Sequence, residues 1–166
     1  MAGLKLDQID RKILEELQAD GRITNVELSR RVGISAPPCL RRVRSLEETG
    51  LIEGYHARLN ALALGYEVTV FAMVRLKSQA GADLEAFEKL CADWPLVREC
   101  HMLYGDIDFL LKCVSPNLGT FQTFLTDDLT ATPNVANVRT SLEIRATKNE
   151  PGVPFEYSGH LAAETV

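Results

Sequence analysis

Residues Arg22 to Gly50, RITNVELSRRVGISAPPCLRRVRSLEETG, constrain this chain more than any other stretch. Thr24 is a good helix N-cap, because its hydroxyl can accept a backbone N–H that the first turn leaves unpaired. Glu27, three residues on, makes T-x-x-E a capping box, and Ile23 and Leu28 occupy the staple positions around it. Gly33 supplies the stop, since glycine accepts the left-handed backbone that ends a helix. Ser35 then caps a second helix at once. Pro37 and Pro38 fall in its first turn, where missing N–H groups cost little. Two helices joined by so short a turn form a helix-turn-helix, a unit that lays its second helix in the major groove of DNA.

That second helix is two-sided. Leu40, Val43, Leu46 and Glu47 gather on one face at 3.6-residue spacing, which is the expected core face. Pro38, Arg41 and Ser45 centre the opposite face, with Arg42 and Arg44 on its flanks. From Arg22 to Arg44 there are six arginines and one acid, Glu27. Such a patch is the electrostatic footprint of phosphate binding. The candidate DNA contacts are therefore Ser35, Pro38, Arg41, Arg42, Arg44 and Ser45, with Arg41 best aimed at a base edge. The net charge of −5 is no objection. Residues 1–60 hold ten Lys/Arg against nine Asp/Glu, and residues 61–166 hold eight against fourteen. Local field decides binding, and the acids of the first segment lie mostly outside the basic stretch.

Around this unit the chain reads as follows. Asp7 caps a first helix from about Gln8 to Ala19, whose stripe Ile9, Ile13, Leu14 and Leu17 completes a three-helix core. Leu51 to Leu59 alternates as a short strand pair would, which makes the domain a winged helix spanning 1–60. Residues 61–66 form a hinge with a short helical turn stopped by Gly65. From Glu67 a new pattern begins. Strand Val68–Leu76 is followed by a helix over Ala82–Asp93 with Leu84, Phe87, Leu90 and Cys91 inward. Strands follow at Val97–Tyr104 and Asp108–Ser115. A second helix carries Leu118, Phe121, Phe124, Leu125 and Leu129, and the last strand covers Asn137–Thr147. The order βαββαβ is the ferredoxin-like split unit, so residues 67–147 form an α+β domain with both helices on one sheet face. Phe71 and Met73 make the other face apolar too. An exposed apolar face implies a partner, and a second copy packed sheet against sheet is the economical one. Two recognition helices related by a two-fold axis would read a palindrome in double-stranded DNA, with half-sites roughly 34–36 Å or a multiple apart. Residues 148–166 read as a surface tail, partly disordered, with Phe155 and Tyr157 able to dock on a neighbour and His160 in solvent.

Cys39, Cys91, Cys100 and Cys113 show no C-x-x-C spacing and read as small buried hydrophobes in a cytosolic protein. The N-terminus is charged and lacks an apolar segment, and no apolar run approaches membrane-spanning length. The expected location is cytoplasmic, on the nucleoid, and no cofactor or metal is implied.

Two passages carry a resemblance: LDQIDRKILEELQADGRITNVELSRRVGISAPPCLRRVRSLEETGLIEGYHARLN (residues 6–60) and VRECHMLYGDIDFLLKCV (residues 97–114). Together they resemble the Lrp/AsnC (feast/famine) transcriptional regulators, and the likeness runs to about residue 147. The resemblance implies that the second domain is of RAM type, which dimerises and often builds octamers. It also implies that the G-D-x-D loop contributes to an amino-acid effector pocket, making Tyr104, Gly105, Asp106 and Asp108 the candidate effector residues. Gly105-Asp106 equally fits a hairpin turn that Asp108 fixes by local hydrogen bonds. Two alternatives to an effector-modulated regulator remain. One is a nucleoid-type protein that wraps DNA. The other is a ferredoxin-like-dimer enzyme similar to the haem-pathway decarboxylases, with His101 as the residue to suspect. His56, His101 and His160 share no local motif, and no P-loop, Rossmann fingerprint or H-E-x-x-H occurs. The expectation is no enzyme.

Overall fold

A computed structural model describes residues 6–150 and 152–155. The chain divides into two compact units: Met1–Arg58 together with Lys148–Val166, and Leu59–Thr147.

The first unit is built on three helices, α1 (Gln8–Ala19), α2 (Asn25–Val32) and α3 (Ala36–Glu48). Asp7 accepts from the N–H groups of Ile9 and Asp10 at 2.9 and 2.8 Å, and the Asp10 carboxylate returns to the Asp7 N–H at 3.2 Å. This is a full capping box, where the sequence suggested only a cap. At α2 the opposite holds. Thr24 accepts from the Glu27 N–H at 3.2 Å, but the Glu27 carboxylate turns to Arg30 and Arg31 instead of closing the box. Gly33 ends α2 at φ +81°, and its N–H and that of Ile34 both donate to Ser29 O at 3.0 Å. That double closure is the tight turn between α2 and α3.

Ile13, Leu28, Val32, Cys39 and Leu46 form the buried core of this unit, with Val43 packed against it. Leu40, expected inward, is 40% exposed, and Cys39 takes its place. A helix whose inner line runs through Cys39, Val43 and Leu46 leaves position 40 on its flank, about 100° round from Cys39. The expected strand pair over Leu51–Leu59 does not form, and those residues run without strand pairing. Their contacts are local instead. Leu51 and Ile52 donate to Leu46 O, and the Tyr55 hydroxyl donates to Glu47 at 3.0 Å. Burial, then the Glu47 carboxylate, pushes that phenol up to about 12. The ring lies over Gly21, where a Cβ would sit 3.3 Å from Tyr55 Cδ1.

The tail returns to this unit. Arg58 Nη1 donates to Asn149 O at 3.3 Å, and Gln18 exchanges two hydrogen bonds with Val153. Tyr157 and His160 lie outside the described residues.

The second unit opens with a 3₁₀ turn, Leu62–Leu64, closed by Gly65 at φ +81°. Then come β1 (Val68–Leu76), α4 (Gly81–Asp93), β2 (Val97–Met102), β3 (Phe109–Ser115), α5 (Leu118–Phe124) and β4 (Val135–Leu142). The strands pair antiparallel in the order β2-β3-β1-β4, which is the expected ferredoxin-like topology. β4 ends at Leu142, short of Thr147, and Ile144 beyond it is exposed.

Alternation settles the two faces. Val70, Ala72, Val74 and Leu76 meet Phe109, Leu111 and Cys113 under the helices, which contribute Phe87, Cys91, Phe121 and Phe124. Phe87 and Phe109 rings lie 4.7 Å apart, and Trp94 stands edge-on to both Phe87 and Phe124. Leu90, expected inward, is 39% exposed. After Phe124 the chain widens into a π-turn, Leu125–Leu129, that ends with Leu129 fully buried. The other face carries Phe71, Met73, Leu110 and Val114, each half-buried.

Candidate nucleic-acid and effector sites

The two faces of α3 divide labour. Its inner line holds the unit together, while Ser35, Arg41, Arg44 and Ser45 are exposed and Pro38 is half-buried. Ser35 occupies the N-cap position yet makes no capping bond. The reason lies in the sequence. An N-cap oxygen accepts from the second or third helical N–H, and here both positions are prolines, Pro37 and Pro38. The hydroxyl is left for an outside partner. Asn25 Nδ2 donates to Ala36 O at 2.9 Å, pinning the start of α3 to the start of α2.

The arginines do not all face outward. Arg42 Nη1 donates to Asp7 Oδ2 and Asp10 Oδ1, both at 2.7 Å, and so ties α3 to α1. The Asp10 N–H, with the Arg42 guanidinium beside it, holds the Asp7 carboxyl below its ordinary value. Arg30 and Arg31 both pair with Glu27, and Arg31 also reaches Glu16 at 2.8 Å. Their hydrogen bonds hold the Glu27 carboxyl down at about 2. Of the six arginines in the basic stretch, Arg22, Arg41 and Arg44 have no ion pair among the described residues.

In the second unit the Leu103 N–H donates to Asp108 O at 2.8 Å, closing the turn that carries Tyr104, Gly105 and Asp106. Tyr104 is fully exposed, and a Cβ on Gly105 would meet nothing within 4 Å. Asp108 points the other way. It is buried, its Oδ2 accepts from the Leu76 N–H and its Oδ1 from Gln79 Nε2, both at 2.7 Å, and its own N–H donates to Val74 O. Both carboxylate oxygens are spent inside the fold, so Asp108 fixes the turn against β1.

Asp106 instead borders a cavity of about 270 Å³ on the open sheet face, walled by Met73, Arg75, Ile107, Asn137 and Arg139. The β1–β4 register sets Met73 opposite Arg139 and Arg75 opposite Asn137. Sequence reading missed Arg75, Asn137 and Arg139. Their alternation placed them off the core side, but only the strand pairing brings them beside Asp106. His101 lies elsewhere on this face, 3.4 Å from Glu99, which also accepts from Lys112 Nζ at 2.7 Å. That ammonium, foremost, holds the Glu99 carboxyl below its ordinary value. Among the described residues no group of three or more His, Cys, Asp or Glu is placed to hold a metal ion. No helix there is long and apolar enough to cross a membrane.

A helix-turn-helix whose second helix turns Arg41 and Arg44 outward without ion pairs among the described residues, carried in one chain with a ferredoxin-like unit that bears a small polar cavity, defines a DNA-binding regulator with a ligand-binding domain. Comparison with known proteins gives the lineage. A winged helix-turn-helix DNA-binding model matches residues 6–53, and the Lrp/AsnC ligand-binding domain model matches residues 69–153. The chain is 62% identical over 146 residues to the leucine-responsive regulatory protein of Rhizobium meliloti, covering 88% of this chain and 94% of that one. A Neisseria meningitidis transcriptional regulator, solved as its L-Met complex, superposes with a TM-score of 0.88 at 34% identity, covering 93% and 99% of the two chains. An AsnC family regulator from Agrobacterium tumefaciens gives 0.85 at 31% identity, covering 92% and 99%. The chain belongs to the Lrp/AsnC family of transcriptional regulators.

Proposed function

We propose that this regulator binds duplex DNA as a dimer through α3 and is modulated by a free amino acid held beside Asp106. The observation that carries the DNA reading is the outer face of α3. Ser35, Arg41, Arg44 and Ser45 are exposed on a helix whose other face is buried, and Ser35 is denied its usual cap. Arg41 reads a base edge and Arg44 a phosphate. Arg42 braces α1.

The half-buried apolar residues Phe71, Met73, Leu110 and Val114 support a two-fold dimer, sheet on sheet, which octamers then extend. Such a dimer reads a palindromic promoter site. For the effector, Arg75 and Arg139 suit a carboxylate, Asp106 suits an ammonium, and Met73 and Ile107 offer apolar wall. Tyr104 and Gly105 shape the rim, while Asp108 positions the loop. The Neisseria relative's L-Met complex and the leucine-responsive relatives agree with this class of ligand. The protein acts in the cytoplasm and is not an enzyme. Asp106 and Asp108 do not form an acid–base pair, because Asp108 is consumed internally.

The test is fluorescence anisotropy on the duplex upstream of the protein's own gene, at fixed salt with excess nonspecific competitor, with and without each common amino acid. Competitor-resistant binding that one amino acid shifts is expected, and Asp106→Asn should abolish the shift. Binding lost to competitor would indicate a wrapping protein. Binding that ignores every amino acid would sink the Asp106 pocket.

A further inference from the structure

The regulatory reading leaves one cluster of reactive side chains unused. Cys91 is buried on the inner face of α4, and Cys100 is exposed on β2. The pairing of Cys100 with Leu111 places it on the helix side of the sheet, where Leu111 is fully buried. Both cysteines line one cavity of about 380 Å³, open to solvent, together with Glu88 and Arg98. β2 is an edge strand with β3 as its one neighbour, so this cavity lies where α4 meets the margin of the sheet. The third cysteine of this unit, Cys113, is fully buried, and burial pushes its thiol up to about 11.

We propose that Cys91 and Cys100 form a peroxide-sensitive dithiol, with Cys100 as the attacking sulfur and Cys91 as the resolving one. The two differ in the way the chemistry requires. Cys100 is exposed where Cys91 is buried, and the neighbouring Cys91 thiol draws the Cys100 thiol below its ordinary value against the opposing effects of burial and the Glu88 carboxylate. Its neighbour Cys100, and then burial, push the Cys91 thiol up. The thiolate is the nucleophile, and it must be reachable. Of the two, Cys100 is the one that solvent reaches.

The steps balance with a hydroperoxide as oxidant. The Cys100 thiolate attacks the terminal oxygen of hydrogen peroxide, the O–O bond breaks, and hydroxide leaves to become water. Cys100 is then a sulfenic acid. The Cys91 sulfur attacks the sulfenic sulfur, an S–S bond forms, and a second water leaves with the Cys91 proton. Two thiols are oxidised, one peroxide is reduced, and α4 becomes covalently tied to the edge strand.

The experiment treats the full-length protein with hydrogen peroxide, blocks remaining thiols, digests with trypsin without reductant, and sequences by mass spectrometry. Cleavage after Lys89, Arg98 and Lys112 puts Cys91 and Cys100 on separate peptides, 90–98 and 99–112. The expected product is those two peptides joined, about 2 Da lighter than their sum, and separated again by dithiothreitol. In Cys91→Ser, and in Cys91→Ala as a second variant, Cys100 should accumulate as a sulfenic acid that dimedone traps. In Cys100→Ser, Cys91 should stay reduced. Far-ultraviolet circular dichroism of each reduced variant guards against unfolding. A Cys100 that passes to sulfinic acid in the wild type without joining Cys91 would overturn the proposal, as would a link between the Cys100 residues of two chains.

Discussion

Gln18 and Val153, 135 residues apart in sequence, exchange two hydrogen bonds. Gln18 Nε2 donates to Val153 O at 2.8 Å, and the Val153 N–H donates to Gln18 Oε1 at 2.9 Å. The first unit is therefore made of two stretches of chain. The polypeptide leaves it after Arg58, builds the second unit, and returns at Lys148. Gly152 is what lets the return approach so closely. Its φ of +83° suits glycine, and a Cβ there would overlap the Gln18 side chain. Gln18→Ala and Gly152→Ala should each detach the segment at a cost of at most about 0.5–1.5 kcal/mol. The readout is hydrogen exchange at the Val153 amide, which should accelerate in both variants while amides within β1 stay protected.

The three arginines of α3 should separate by measurement. Arg44→Ala should lower the slope of log affinity against log salt by about 1. Arg41→Ala should cost ~1–3 kcal/mol on the preferred site and relax one base position. Arg42→Ala should leave both the slope and the base preference alone, and lower the Tm instead, because it removes the tie from α3 to Asp7 and Asp10. Anisotropy titrations at several salt concentrations on wild-type and base-substituted duplexes distinguish all three. A salt slope that changes in Arg42→Ala would return this residue to the DNA face.

The contrast among these arginines shows how far the sequence was legible. Helix positions, the α2–α3 turn and the βαββαβ order follow from periodicity and from Gly33, Gly65 and the N-caps, all local signals. Failures arose where a second partner, near or far in sequence, competes for the same atoms. Glu27 abandons its capping box for Arg30 and Arg31, and Arg42 turns to a carboxylate pair 32 and 35 residues earlier. Ser35 fails for a local reason that was readable, since Pro37 and Pro38 have no N–H to offer. The Asp106 cavity was half legible. Its loop was visible, but Arg75 and Arg139 reach it through strand register, which alternation alone does not fix.

Asp106 and Asp108 should part in the same way. Asp108→Asn keeps the shape but replaces one acceptor oxygen by a donor, facing either the Leu76 N–H or Gln79 Nε2. A buried group left so mismatched costs ~1–3 kcal/mol. The urea midpoint of the second unit should fall with an unchanged slope. Asp106→Asn should leave that midpoint in place and weaken amino-acid binding measured by calorimetry, as should Arg139→Ala. An Asp108→Asn protein of full stability would mean that the carboxylate does not brace the turn.

Glu27 gives the first unit a measurable pH dependence. Hydrogen bonds from Arg30, then Arg31, take its carboxyl from an ordinary 4.5 down to about 2 in the folded chain. The unfolded chain therefore binds this proton at a higher pH than the folded chain does. The resulting stability is fully present above about pH 4.5 and is lost as pH falls towards 2. Glu27→Gln should accordingly be less stable than wild type at pH 7, and the two proteins should converge as the pH approaches 2. Because Glu27 and both arginines are solvent-accessible, the gap at pH 7 should also narrow in 1 M salt, where the screening length is about 3 Å. Thermal melts of the two proteins across pH 2–7, at low and high salt, read both trends. A gap that stays constant down to pH 2 would mean that the difference does not come from the charge on Glu27.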